Sequence, residues 1–233
     1  MRIHLLEHDT HAGPTNIDRW AEERGHRVWR WFLNQRIAFP GFDHCDLLVV
    51  TGALIHVWEE SENAYLAPEK AYIGEALDRG KPVVGLCFGA QLLAEALGGS
   101  AYAAEHPEIG WHDVELNQSG RENSLLNGLP DRFTTFHWHS DHFHPPAQVR
   151  TLAASALTPH QIFDAPGRPV LALQCHLEYT PDLIRHYTAH FRAHMTPGPH
   201  TTPPRQILAR LENLPDPYAL MSPLLDNVRR EFC

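Results

Sequence analysis

An α/β fold, with an open, mostly parallel (mixed) central sheet and helices on both faces, is predicted by three features of the amino-acid sequence. Short continuous apolar runs such as "DLLVVTG" (46–52) and "PVVGL" (82–86) have the pattern of parallel strands buried on both faces. Helix-period segments alternate with these runs as far as Gly99. Beyond Gly99, strand-like segments follow one another with short separators, which adds antiparallel strands at one edge of the sheet.

Taken in order, Arg2–His8 reads as the first strand. The next helix has a capping residue at Thr15 or Asn16, apolar Ile17, Trp20 and Ala21, and a stop at Gly25. Arg27–Leu33 is rich in β-formers, Asp46–Gly52 is a buried strand, and the helix from Leu66 is closed by Gly80. After the strand at 82–86 and its following helix come "GWHDVEL", "FTTFHWH", "TLAASAL", "HQIFDA" and "PVLALQCH", all strand-like. Pro181–His194 is a helix with proline in its first turn and Leu183, Ile184, Tyr187 and Phe191 on one face. Thr196–Pro204 must be a loop, and two short amphipathic stretches follow it. The chain thus divides into a main domain, 1–195, and a proline-rich linker with a short helical appendage, 196–233. Two short helices cannot bury their apolar residues alone. They are expected to dock on the main domain or on a second copy, the latter giving a homodimer.

With 233 residues, 43% hydrophobic and 20% charged, this is the composition of a soluble globular chain. A formal charge of -9 argues against a nucleic-acid-binding surface, which needs a basic stripe. No run approaches the roughly 18 apolar residues of a membrane span, and the N-terminus reads as a strand, not as a signal peptide. Cys45, Cys87, Cys175 and Cys233 form no C-x-x-C pair, so neither a disulfide framework nor a zinc ribbon is expected. These features point to a reducing cytoplasm.

The most informative stretch is Gly85-Leu86-Cys87-Phe88-Gly89, of the form G-x-C-x-G, at the junction of a strand and a helix. One reading is packing, since free cysteine is among the most buried residue types. The other is a nucleophile elbow at the end of a central strand. The helix N-terminus favours the thiolate, and the Phe88 amide can donate to an oxyanion. A nucleophilic cysteine needs a base and the base an orienter. His176 and Glu178, two residues apart at a strand end, supply both. The cluster His137, His139, His142 and His144 competes as a metal site, but no regular geometry gathers all four. No metal is expected; the preferred reading is a polar strand-to-loop passage lining a cleft.

Together these blocks resemble the class I glutamine amidotransferases, especially stand-alone members similar to the glutaminase domain of GMP synthase. The resemblance spans roughly Ile3 to His194. The family's elbow, G-x-C-x-G-x-Q, is matched by Gly85, Cys87, Gly89 and Gln91, and its closing motif by Gln174-Cys175-His176-Leu177-Glu178. Where the closing motif usually carries phenylalanine and proline, this chain has Cys175 and Leu177. "FHWHSD" and "EIGWHDVEL" also look like family segments.

The resemblance implies Cys87 as nucleophile, His176 as base and Glu178 as orienter. Gly52, Gln91, His139 and the backbone around Ser140 would hold a glutamine or γ-glutamyl substrate. The family's glycine-rich turn falls on Gly52-Ala53-Leu54, so the amides of Ala53 and Phe88 become the oxyanion donors. No cofactor is required. Ammonia passes to a separate synthetase subunit, or the protein is a free-standing γ-glutamyl hydrolase. A catalytically silent binding module of the same fold is the remaining alternative.

Overall fold

The computed structural model describes residues 1–8, 13–35 and 38–233. The chain runs β1 (Arg2–Glu7), α1 (Asn16–Glu23), β2 (Arg27–Phe32), β3 (Leu47–Val50), α2 (Leu66–Asp78), β4 (Val83–Leu86) and α3 (Phe88–Ala96). It continues through β5 (Ser100–Leu116), α4 (Gln118–Arg121), β6 (Arg132–His144), β7 (Arg150–Ala154), β8 (Ile162–Asp164) and β9 (Val170–Leu173). It closes with α5 (Pro181–His190), α6 (Pro204–Leu211) and α7 (Tyr218–Phe232).

The nine strands among the described residues form one sheet in the order β2-β1-β3-β4-β9-β8-β7-β5-β6. From β2 to β9 the pairings are parallel; from β9 to β6 they are antiparallel. This is the mixed α/β sheet the sequence predicts. Every residue of β3, β4 and β9 is buried, which is why their sequences are apolar throughout instead of alternating.

Helices cover both faces. On one, Ile17 and Trp20 of α1 and Met221, Leu224, Leu225 and Val228 of α7 pack on Leu5, Val49 and Val84. On the other, Tyr72 and Ile73 of α2 and Leu92 and Leu93 of α3 pack on Leu48, Val50 and Val83. A third cluster joins Trp111, Phe136 and Trp138 to α5 and α6. Of the apolar face expected on α5, Phe191 lies one residue past the helix and is only partly buried. Thr15 is the N-cap of α1, in a reciprocal box with Asp18. The linker is paired to β5: the Ile109 amide donates to His200 O at 3.0 Å, and the Thr202 amide to Ile109 O at 2.8 Å. No helix among the described residues is long and apolar enough to cross a membrane.

Two sequence readings need correction. The histidine-rich passage is no strand leading into a loop, because β6 is a strand as far as His144. His137, His139 and His142 are buried, since β5 and the turn after β7 supply polar partners for them. The second correction is that His176 and Glu178 are not in a strand. β9 ends at Leu173, and the segment beyond it bends away until His176 bridges to Phe136, its amide donating to Phe136 O at 2.9 Å.

Candidate active site

Cys87 connects β4 to α3 with φ 51° and ψ −106°, and it is the one non-glycine residue with positive φ among the described residues. The flanking glycines follow from close approach of strand and helix. A Cβ on Gly85 would lie 2.5 Å from Gly89 O, and one on Gly89 only 2.1 Å from Val50 O. Backbone bonds hold the strained residue: the Cys87 amide donates to Leu173 O at 2.7 Å and the Gly89 amide to Thr51 O at 3.2 Å. Phe88, as the first residue of α3, has an amide without an intrahelical acceptor. Burial pushes the Cys45 thiol up to about 11 and raises Cys175 further, so neither competes as a nucleophile at neutral pH.

His176 and Glu178 meet in spite of leaving the strand. His176 Nδ1 is 2.6 Å from Glu178 Oε1, and both side chains are buried. The other ring nitrogen, Nε2, has no hydrogen-bond partner among the described residues. A Cβ at Gly52 would lie 3.5 Å from His176 Cε1 and 4.0 Å from Cys87 Sγ, so ring and thiol converge over that bare α-carbon. Burial alone would lower the His176 pKa; the charges of Glu178 and Cys87 outweigh it and raise the pKa. The turn that carries this pair is fastened to α1. Asn16 donates through Nδ2 to Leu177 O at 2.9 Å and through its amide to Glu178 O at 2.8 Å. Tyr179 stacks on the His176 ring with centroids 4.2 Å apart.

Of the residues predicted from sequence, Ala53, Cys87, Phe88, Gln91, His139 and Ser140 line one pocket with a cavity volume of about 100 Å³. Gly52 and Glu178 line a neighbouring cavity of about 30 Å³. Gln91 is buried; its Nε2 donates to Gln174 Oε1 at 3.2 Å, and Gln174 Nε2 donates to Cys87 Sγ at 3.5 Å. Gln174 thus belongs to the site, and its sequence signal was its place in the closing motif. Leu54 of the glycine-rich turn lines the pocket too, as do Trp138 and Asp141, which the sequence did not single out, and Asp141 Oδ2 is 2.6 Å from His56 Nδ1.

Glu108, His137 and His139 bring possible ligand atoms within 4.8 Å of one another. The carboxylate is already occupied: Ser155 donates to it at 2.6 Å, Gln161 at 2.7 Å and Thr158 at 2.9 Å. His139 Nε2 lies 3.1 Å from the same group. Burial opposes the charge of Glu108, but hydrogen bonds from His137 and His139 hold its carboxyl below the usual range. Burial lowers His137 to about 4, so this ring is neutral, and its Nε2 has no partner among the described residues. We read the cluster as a hydrogen-bonded carboxylate that fixes His139 at the pocket wall.

Comparison with known proteins places the chain in a family. The family model described as glutamine amidotransferase class-I matches residues 16–194. The glutamine amidotransferase-like protein YfeJ of Salmonella typhimurium is 30% identical over 194 residues, covering 82% of this chain and 81% of that one. The glutamine-hydrolysing GMP synthase of Thermoplasma acidophilum has a separate subunit that is 33% identical, over 70% of this chain and 84% of its own length. Two GMP synthases not named as subunits match over only 19% and 20% of theirs. The crystal structure of a glutamine amidotransferase from Thermotoga maritima superposes with a TM-score of 0.84 over 97% of both chains at 23% identity, which speaks for the fold. A matched domain over most of the chain, carried on the same mixed sheet, fixes the kinship: the chain belongs to the class-I glutamine amidotransferase family.

Proposed function

We propose that this protein is a cysteine-dependent amidohydrolase that cleaves the γ-carboxamide of glutamine or of a γ-glutamyl amide. The observation that supports this most is the strained Cys87 beside a His176 whose far nitrogen is 2.6 Å from Glu178. The thiol proton passes to His176 Nε2, and Sγ attacks the γ-carbonyl carbon. The amides of Ala53 and Phe88 donate to the oxyanion. Collapse of the tetrahedral intermediate expels the amine, which takes its proton from His176 and leaves a γ-glutamyl thioester on Cys87. Water, deprotonated by His176, then attacks the thioester, releasing the γ-carboxylate and restoring the thiol. Gln91, His139 and the backbone at Ser140 hold the amino-acid end of the substrate, and Glu178 keeps His176 in the tautomer that presents Nε2 to the thiol.

Likeness to one subunit of a GMP synthase supports delivery of ammonia to a separate synthetase subunit. Another reading, a free-standing γ-glutamyl hydrolase, is favoured by a specific feature. Ala53 and Leu54 of the pocket also line an adjoining cavity of about 370 Å³ with Tyr65 and Phe191, which is room for a leaving amine larger than ammonia. The test is a thioester trap. The protein is incubated with glutamine or with γ-glutamyl dipeptides, quenched in acid and analysed for a glutamyl adduct on Cys87. An adduct with glutamine supports the amidotransferase reading, and one with dipeptides alone supports the hydrolase. No adduct in folded protein, with or without a synthetase, would leave the silent binding module.

A further inference from the structure

The parallel strands deliver three loop ends side by side. β3 lies between β1 and β4 in the sheet. His8 stands one residue past β1, Gly52 two residues past β3, and Cys87 one residue past β4. His8 is buried, and both its ring nitrogens are engaged. Nδ1 is 3.1 Å from Gly52 O, and Nε2 lies 2.9 and 3.0 Å from the two oxygens of Glu69. Glu69, on α2, is fully buried. Nothing in the catalytic cycle above uses this pair.

A carbonyl oxygen only accepts, so the bond to Gly52 requires a hydrogen on Nδ1. That hydrogen is present as long as ring and carboxyl share one proton between them, on whichever of the two it resides. With the proton on Nε2, the ring is an imidazolium facing a carboxylate. With it on Glu69, the carboxylic acid donates to Nε2 and the neutral ring keeps its hydrogen on Nδ1. Burial disfavours the charged ring, but the Glu69 carboxylate raises its pKa.

The Gly52–Ala53 peptide is trans, as are all the described peptide bonds, so its C=O and N–H point in opposite directions. With the carbonyl drawn towards β1, the Ala53 N–H is directed towards the β4 side, where Cys87 lies. The His8 ring also packs edge-on against Phe88, with centroids 5.1 Å apart, and Phe88 carries the other amide invoked for the oxyanion. We propose that His8, held by Glu69, is a positioning residue that fixes the 52–53 peptide so that the Ala53 amide faces the reacting carbonyl. This rests on the amidohydrolase reading of the site. It also accounts for how a turn with Ala53 and Leu54 keeps a defined amide direction: His8 holds the Gly52 carbonyl from outside the turn at 3.1 Å, closer than the neighbouring Thr51 Oγ1, which donates to it at 3.4 Å.

The experiment separates oxyanion stabilisation from thiol reactivity, because alkylation of a thiolate by iodoacetamide develops no oxyanion. His8→Leu should lower kcat for the substrate found by the thioester trap about 100-fold. The rate of Cys87 alkylation should stay within about twofold of wild type. His8→Asn, whose amide can donate from near the Nδ1 position, should recover most of the lost kcat. An unchanged kcat in folded His8→Leu overturns the proposal, and so does a parallel fall in alkylation, which would mean general damage to the elbow. Two further measurements need no turnover and stand even if the amidohydrolase reading fails. A crystal structure of His8→Leu should show the 52–53 peptide rotated or in several orientations, and an unmoved peptide counts against the clamp. Should that variant not fold, long-range ¹H–¹⁵N spectra of the wild-type ring decide. At slightly acid pH, where the pair holds its shared proton, Nδ1 must carry hydrogen, and a bare Nδ1 there overturns the assignment.

Discussion

At Gly89 a single methyl group would separate strand from helix. The 2.1 Å contact that its Cβ would make is with the Val50 carbonyl, a backbone atom that cannot swing aside. Gly89→Ala should therefore destabilise the protein by about 1–3 kcal/mol or more. Gly74, within α2, would place a Cβ with nothing inside 4 Å, so Gly74→Ala should stabilise by about 1 kcal/mol. Urea unfolding of both variants checks the pair; equal effects would mean that the elbow relaxes more freely than its geometry implies. Among the proposed catalytic residues, Cys87→Ala should abolish the acyl-enzyme, and His176→Ala should be nearly as damaging because base and leaving-group acid are assigned to one residue. Glu178→Gln keeps nucleophile and base and loses only orientation. It should retain activity roughly one to two orders of magnitude above Cys87→Ala, and double variants should be far from additive. Single-turnover acylation measures this; a Glu178→Gln protein as inactive as Cys87→Ala would give Glu178 a larger part than orientation.

The elements on the antiparallel side present a different balance of charge and burial. Glu108 on β5 is paired with His139 on β6, and His137 shares the same face two residues earlier. Burial depresses both His137 and His142 to about 4, well below the ordinary histidine value of 6.5. A base whose folded-state pKa is depressed stabilises the fold above its unfolded-state pKa, and that stability is lost as pH falls towards the folded value. The window here is pH 6.5 down to about 4. Glu7, raised by burial to about 7, works in the opposite sense, because its stabilising contribution is complete below 4.5 and is lost as pH rises through 7. The difference between variant and wild type isolates one histidine. His142→Gln should lose less stability than wild type between pH 7 and pH 5, measured by urea unfolding at each pH; parallel curves would remove His142 from the acid response. These partners were hidden in the sequence for a physical reason. Glu108 meets its histidines across a strand pair, and His8 meets Glu69 from 61 residues away, so neither pair leaves a local pattern. The elbow was legible because turn geometry forces two glycines within five residues, and His176–Glu178 because the partners are near neighbours in sequence.

For the molecule as a whole, the parallel half of the sheet could be read from the chain because strands buried on both faces are apolar throughout and α1, α2 and α3 each end at a glycine of positive φ, Gly25, Gly80 or Gly98. The tail could be read as two amphipathic stretches that must dock, but not where, since the surface that receives them is assembled by distant segments. Here α7 buries Met221, Leu224, Leu225 and Val228 completely, in the same cluster as Trp20 and the central strands. Asn227 Nδ2 donates to Leu125 O at 3.0 Å and to Asn127 O at 2.8 Å, while Asp226 accepts from Trp20 Nε1 at 3.0 Å. At roughly 1.5–3 kcal/mol for each fully buried apolar side chain, four of them contribute on the order of 6–12 kcal/mol. A typical domain is stable by only about 5–15 kcal/mol. Truncation after Met195, which would leave an independent unit if the tail were dispensable, should therefore give protein that aggregates or lacks a cooperative thermal transition. Truncation after Leu214 tests α7 alone, because it keeps α6 and the bond from Trp111 Nε1 to Ile207 O at 3.0 Å. It too should fail to fold, since the face of the sheet beside α1 loses its cover. A soluble 1–214 chain with a sharp melting transition and rapid alkylation of Cys87 would instead make α7 an appendage. In that case the four leucine, methionine and valine side chains contribute little beyond their own shelter.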